Sequence, residues 1–183
     1  MDIPVDTAAS LLAGSRTLLS VGLNGETDVV VARQRARQLA RLLGFGTQDQ
    51  IRLATATSEI ARNVIQYARR GRVEFAVSSN RPEPFFLVNI SDSGAGIPNL
   101  TEILEGSYES KTGLGIGLTG TRRIMDRFVL ESKPGAGTRV VFAKDFPAAK
   151  RGAIDIAGIA AELARDLPKG VEEELRQQNR EAL

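Results

Sequence analysis

The sequence predicts an α/β protein: a two-layer sandwich in which a mixed β-sheet is covered on one face by three helices, followed by a helical C-terminal tail. Three observations lead there. Apolar residues recur at helical spacing from Asp28 to Gly44 and again from Thr47 to about Ala68. β-rich runs then interleave with glycine-bearing loops and a third helical pattern as far as Phe146. Beyond Phe146 the chain becomes Ala-rich and then strongly charged. The organisation read from this is a lead-in over residues 1–16, a domain over 17–146, and a helical tail or connector over 147–183.

The elements follow in order. Thr17–Leu23 is β-rich and partly alternating, a strand, and Asn24-Gly25 makes a turn. Asp28 is expected to cap a helix that stops at Gly44, with Val29, Ala32, Ala36, Leu39, Ala40 and Leu43 on one face. Thr47 opens a second helix with Gln50 as its capping-box partner. Its expected apolar stripe is Ile51, Ala54, Ser58, Ala61 and Ile65, and Gly71 ends it. Strands over 72–78 and 84–91 are joined by a polar, proline-containing turn. Residues 91–112 read as a loop with one helical turn near Leu100–Leu104. A third helix spans Gly115–Arg127, and strands over 128–132 and 138–143 flank the turn Pro134-Gly135-Ala136-Gly137. Residues 153–166 and 171–183 are helical, separated by Pro168–Gly170. The open face of the sheet is expected to be covered by the tail or by a partner.

Composition narrows the function classes. The 183 residues suit one compact domain with an appendage, and 42% apolar with 25% charged residues is ordinary for a soluble globular chain. No cysteine is present, which excludes disulfides, thiolate metal sites and a cysteine nucleophile. No histidine is present either, which removes the commonest general base and any phosphohistidine on this chain. A formal charge of +2 without a block of like charge does not point to nucleic acid. The N-terminal residues lack a basic region followed by a long apolar run, and no stretch approaches membrane-spanning length, so no membrane partner and a cytoplasmic location are expected.

Four short patterns carry chemistry. Glu59 and Asn63 stand four apart on the second helix and therefore emerge on one face, one turn apart. A carboxylate beside a carboxamide suits a Mg²⁺–phosphate site: the amide oxygen of Asn63 is a hard neutral ligand, and Glu59 can orient a hydroxyl and accept its proton. Asp92-Ser93-Gly94-Ala95-Gly96-Ile97 follows a strand. Its aspartate can accept a hydrogen bond from an exocyclic amine, and Gly94 and Gly96 permit close backbone approach to a flat ring. Lys111-Thr112-Gly113-Leu114-Gly115-Ile116-Gly117-Leu118 leads into a helix, and a lysine, glycine-rich amides and a helix N-terminus together make an anion site. Gly115 to Gly120 also fits the dinucleotide pattern, but that pattern needs a strand immediately before it and a loop precedes it here. Gly135-Ala136-Gly137-Thr138 sits at a strand start, where Thr138 can touch a ligand or support Asp92. Taken singly, these patterns also fit a solvent-facing polar stripe, a tight turn, a hinge and a hairpin.

In this order and spacing the four patterns resemble the N box, the two glycine boxes and the terminal Gly-x-Gly-Thr of the GHKL (Bergerat-fold) ATPase superfamily. Within it the chain is similar to the RsbT-type switch serine/threonine kinases, through DVVVARQ, LLGFGTQDQIR, TATSEIARN, DSGAGI, GLGIGL, RRIMDRF and SKPGAGT, over about Thr17 to Phe142. The resemblance implies ATP and Mg²⁺ as cofactors. It implies Glu59 as catalytic base, Asn63 as metal ligand and Asp92 as the adenine-reading aspartate. Gly94, Gly96 and Ile97 stand beside Asp92 in its glycine box, and Gly113, Leu114, Gly115, Ile116, Gly117 and Leu118 on the phosphate side. Lys111, with Thr112 next to it, stands where related anti-sigma kinases carry an arginine on the γ-phosphate, which keeps the charge but loses the bidentate geometry. The implied activity is phosphorylation of a serine or threonine on a STAS-domain anti-anti-sigma or stressosome-type partner in bacterial stress signalling, with binding of a downstream regulator.

Two rival readings stay open. One is a nucleotide-gated partner-binding module that transfers nothing, which would not need Glu59. The other is the ATP-binding part of a histidine kinase, for which the stretch between Ile97 and Gly113 is short and no acceptor histidine is present. The tail resembles the connector of an N-terminal module in a larger sensor kinase. Its stripe of Ile156, Ile159, Ala160, Leu163 and Leu167 must pack on the domain or pair with a second chain as a homodimer. The pattern of Val171–Leu183 runs to the last residue without a cap, as in a piece of a longer protein or a frayed terminus.

Overall fold

The computed structural model describes residues 5–79, 81–98, 114–148 and 154–165. The elements are α1 (Ala8–Leu12), β1 (Arg16–Leu23), α2 (Glu26–Leu42), α3 (Thr47–Tyr67), β2 (Gly71–Ser78), β3 (Phe85–Asp92), α4 (Leu114–Ile124), β4 (Arg127–Lys133), β5 (Gly137–Asp145) and α5 (Ile156–Arg165). The five strands form one sheet in the order β1-β2-β3-β5-β4. The α/β sandwich is as expected, but every strand pairing is antiparallel, not mixed. The reason lies in the last hairpin. β3 and β4 run in the same direction, as a strand–helix–strand unit implies, yet β5 inserts between them and pairs antiparallel with both.

The helical layer rests on alternate strand residues. Val73, Phe75, Val77, Phe86, Val88, Ile90, Val140 and Phe142 face the same core as the buried positions of α2 and α3. All six apolar positions expected on α2 are buried. Its C-terminus closes in a Schellman motif: Gly44 sits at φ 87°, its N–H donates to Arg41, and the N–H of Phe45 donates to Ala40. The N-terminus departs from expectation. Gly25 is the N-cap, and Asp28 lies within the first turn, where its carboxylate accepts the N–H of Asn24 at 2.7 Å. Glu26 and Asp28 still place negative charge at the positive end of the helix dipole.

α3 also begins one residue off its expected cap. Gly46 is the N-cap, so Thr47 is the first helical residue and cannot close a capping box; Gln50 instead donates to the Phe45 carbonyl at 2.9 Å. The expected stripe is too narrow. α3 packs on both α2 and the sheet, so Leu53, Ala56, Thr57, Ile60 and Val64 are buried beside Ala54, Ser58 and Ala61, while Ile51 remains 45% exposed. The helix ends at Tyr67 before Gly71 is reached, and the left-handed residue after it is Arg69, at φ 68°. Gly71 is the first residue of β2.

Among the described residues, the opposite face of the sheet is covered by the lead-in. Residues 8–12, within the expected lead-in, form a helix with a full capping box between Thr7 and Ser10. Ala8 and Leu11 bury themselves against Ala76, Phe85, Leu87, Val129, Val141 and Ala143. The Ala8 N–H donates to the Glu131 carboxylate at 3.1 Å, and the Arg81 guanidinium donates to the Ser10 carbonyl. Arg127 stacks 4.6 Å from the Phe85 ring centroid and pairs with Asp145 at 3.0 Å.

The described part of the tail, α5, lies on the helical side. Ile159 and Leu163 of α5 join the main core, and Arg35 of α2 donates to the Leu163 carbonyl at 3.2 Å. Ala160 is exposed, and Leu167 with residues 171–183 lies outside the described residues. At the end of the sheet away from the glycine-rich loops, Lys144 is buried and pairs with Asp126 at 3.1 Å and Asp49 at 3.5 Å, joining β5 to the start of α3.

If the lead-in helix is held as described, Leu11→Ala should destabilise the protein by about 2–4 kcal/mol, the cost of a cavity under a fully buried leucine. Urea unfolding followed by circular dichroism measures it; an unchanged midpoint would mean that α1 does not cover the sheet in solution.

Candidate functional site

α3 delivers the acid and the amide. Its register places Glu59 and Asn63 at the edge of the buried face, both partly exposed. One oxygen of Glu59 pairs with Arg62 at 3.2 Å, three residues on, an exposed pair along the helix surface. The other oxygen turns to α4: a Cβ built on Gly117 would stand 3.6 Å from Glu59 Oε2 and 3.6 Å from Asn63 Nδ2. The glycine therefore leaves a space that a side chain would fill. Asn63 Nδ2 is buried and has no hydrogen-bond partner among the described residues. A buried donor without a partner costs about 1–3 kcal/mol, and this nitrogen is open to an acceptor oxygen of a ligand; Gln34 Oε1 and Asn89 Oδ1 also lack partners among the described residues.

The C-terminal half of α3 leads on to Asp92. Val64, next to Asn63, packs against Gly71, where a Cβ would stand 2.6 Å from Val64 Cγ1 and 3.5 Å from Asp92 Cβ. Gly71 is the strand partner of Asp92. One turn further along α3, Ala68 lies under Gly94, where a Cβ would come within 2.7 Å of the alanine methyl. Asp92 Oδ1 accepts the Gly94 N–H at 2.8 Å and the Thr138 N–H at 3.3 Å. Its second oxygen is engaged by neither bond, which leaves an acceptor for an exocyclic amine.

The β4–β5 hairpin closes this side. Pro134 and Gly135 (φ 76°) occupy the middle of its turn, with the Ala136 N–H donating to Lys133, the combination that a type II turn demands. Gly96 and Gly137 are at φ 81° and 92°, and a Cβ on either would overlap a backbone carbonyl, that of Lys133 or of Asp92. The Thr138 hydroxyl bonds Ser132 at 3.0 Å, so Thr138 supports Asp92 through its backbone N–H and not its side chain. Asp92, Ser132, Gly137 and Thr138 line a recess of about 230 Å³. A larger recess, about 410 Å³, lies between the C-terminal end of α2 and α5 and holds none of the candidate residues.

The structure thus gathers Glu59, Asn63, Asp92, Gly94, Gly96, Gly117 and Thr138 at one end of the molecule. Ile97 follows the aspartate loop, and Leu118 is buried in the main core, so it acts by packing. Lys111, Thr112 and Gly113 lie outside the described residues; Leu114, Gly115 and Ile116 belong to α4. Two contributors carried no role in the sequence reading: Arg62, the ion-pair partner of Glu59, and Ser132, bonded to Thr138. Arg62 follows from helical spacing alone; Ser132 opens the stretch SKPGAGT, but its bond to Thr138 depends on the strand pairing. Among the described residues no group of three or more His, Cys, Asp or Glu could hold a metal ion, and no helix is long and apolar enough to cross a membrane.

The model of the histidine kinase-, DNA gyrase B-, and HSP90-like ATPases matches residues 48–148. The serine/threonine-protein kinase RsbT of Bacillus subtilis is 42% identical over 115 residues, 63% of this chain and 86% of that protein. The anti-sigma F factor of Clostridium beijerinckii is 32% identical over 106 residues, 55% of this chain and 74% of that protein. The anti-sigma F factor of Bacillus licheniformis is 29% identical over 110 residues, 57% of this chain and 75% of that protein.

Gly137 offers a direct check on this geometry. Gly137→Ala must displace the Asp92 carbonyl or abandon its φ of 92°, and should cost about 1–3 kcal/mol. Gly120→Ala, which meets nothing within 4 Å on a helix surface, should be neutral or stabilising by up to about 1 kcal/mol. Thermal unfolding of the two variants side by side measures the contrast; equal effects would contradict the close approach at Asp92.

Proposed function

The chain belongs to the histidine kinase-, DNA gyrase B- and HSP90-like ATPase family, and from that premise we propose that it is an ATP-dependent protein serine/threonine kinase of the anti-sigma type. Its substrate is a serine or threonine hydroxyl on a STAS-type regulatory partner in stress signalling, and a downstream regulator binds the same domain. The observation that carries the reading is the pair on α3: a carboxylate with one oxygen paired with Arg62 and the other turned to the glycine helix, beside an amide with an orphaned buried nitrogen. A module that only bound nucleotide would have no use for the oriented acid.

In this reading Asp92 takes the exocyclic amine of adenine on the oxygen left over by its two backbone donors. The glycines of α4 bring backbone close to the triphosphate, and Lys111, Thr112 and Gly113 through Ile116 serve its phosphate side. Asn63 would hold Mg²⁺ through its amide oxygen together with phosphate oxygens, the arrangement usual for this ion; bound there, the ion neutralises charge on the phosphates. Glu59 aligns the partner hydroxyl with the γ-phosphorus and accepts its proton. The new oxygen–phosphorus bond forms as the bond from the γ-phosphorus to the bridging oxygen breaks, and ADP leaves. Catalysis here is positioning and electrostatics.

Glu59→Ala should lower phosphate transfer to a STAS partner by roughly 100-fold or more, while ATP affinity, measured by titration calorimetry, stays within about threefold. Normal transfer by that variant overturns the assignment of the base. A wild-type chain that binds ATP and partner but transfers no radiolabelled phosphate is a nucleotide-gated binding module instead. Asp92→Asn turns an acceptor for the amine into a group that also donates, and should weaken ATP binding about tenfold or more; unchanged affinity would remove Asp92 from the adenine site.

A further inference from the structure

We infer that Ser132 is a positioning residue for purine recognition, acting through Thr138 and the aspartate loop; the inference rests on the ATP-site reading above. Ser132 lies on β4, an edge strand, opposite Thr138 in the hairpin register. Its hydroxyl meets two backbone groups and one side chain. It accepts the Ile97 N–H at 2.7 Å, lies 3.0 Å from the Thr138 hydroxyl, and reaches the Gly137 carbonyl at 3.3 Å.

The bonds close a ring. Ile97 is tied to Ser132, Ser132 to Thr138, Thr138 through its N–H to Asp92, and Asp92 to the N–H of Gly94, from which the backbone runs three residues back to Ile97. A second tie supports it, the Gly135 N–H donating to the Ala95 carbonyl at 2.8 Å. Ser132 is the one side chain in this ring besides Asp92 and Thr138, and the one that joins the far end of the loop to the hairpin.

The proton count gives the hydroxyl a defined task. The Ile97 N–H can only donate, so Ser132 meets it with a lone pair. Its single proton then goes to the Gly137 carbonyl, which can only accept, or to the Thr138 hydroxyl. Either way both ends of the loop are held relative to β5, and the free oxygen of Asp92 keeps one direction. Removing the hydroxyl leaves the partly buried Ile97 N–H without its acceptor and frees that end of the loop. The loss falls on reading the base amine, not on the phosphates or on Glu59, which sit along α3 and α4.

The experiment compares wild type, Ser132→Ala and Ser132→Thr for binding of ATP, ADP and ITP by titration calorimetry, with saturated transfer rates and urea stability alongside. A single hydrogen-bond deletion of this kind corresponds to about a five- to tenfold effect. Ser132→Ala should weaken ATP and ADP by a common factor of about that size. It should leave ITP, which has a carbonyl where adenine has the amine, within about twofold, so that discrimination collapses by the difference. The maximal transfer rate should hold within about twofold, and Ser132→Thr should restore ATP affinity to within about threefold. Unchanged adenine-to-hypoxanthine discrimination in Ser132→Ala, or equal weakening of ATP and ITP with lowered stability, overturns the inference and leaves Ser132 a structural residue. A wild type that binds no adenine nucleotide takes down the ATP reading itself, which is a different result from wild-type binding with an unaffected variant.

Discussion

A single carboxylate oxygen, Asp92 Oδ1, accepts hydrogen bonds from backbone on two sides, Gly94 in the loop that follows it and Thr138 at the start of the neighbouring strand. That shared acceptor holds the end of β3, the aspartate loop and the β4–β5 hairpin in one arrangement. It also explains where the glycines stand. Gly137 lets the hairpin backbone press against the Asp92 carbonyl, Gly94 lets the loop rest on Ala68, and Gly96 lets it cross Lys133. Each contact is too close for a side chain, and each would loosen if the carboxylate no longer drew the pieces together.

α3 is the second constraint, because it belongs to the core and to the site at once. Leu53, Ile60 and Val64 bury one side against the sheet, and Ser58 accepts a hydrogen bond from Arg33 of α2 at 3.1 Å. With the helix held on two sides, the backbone of Glu59 and Asn63 keeps its place beside Gly117. The same rigidity carries the orphaned amide nitrogen of Asn63, a local cost that the burial of the helix offsets. The two faces of the sheet are handled separately, α1 on one and the helical layer with α5 on the other.

Much of this could be read from residue order. The periodicity of α2 marked its buried positions one by one, and the spacing of Glu59 and Asn63 placed them together before any coordinates. The helix caps misled because several residues near a terminus can cap it. Gly25 and Gly46 took the N-cap positions from Asp28 and Thr47, and the polar side chains found other partners nearby. The stripe on α3 was underestimated because a single period describes one buried face, and α3 has neighbours on two. The helix at residues 8–12 was missed because five residues carry too little periodicity to register; it exists because Ala8 and Leu11 meet an apolar sheet face.

Local order therefore determined the longer helices and the strands, the strand-end position of Asp92, the helical pairing of Glu59 with Asn63 and the glycines that permit close approach. Those properties depend on spacing within a few residues, which the chain carries wherever it goes. Tertiary structure alone decided that β5 would separate β3 from β4, that the lead-in helix would pack on the open face, and that Ser132 would tie Ile97 to Thr138. Those outcomes depend on which distant surfaces meet, and hydrogen bonds between residues 35 positions apart leave no periodic trace in a sequence.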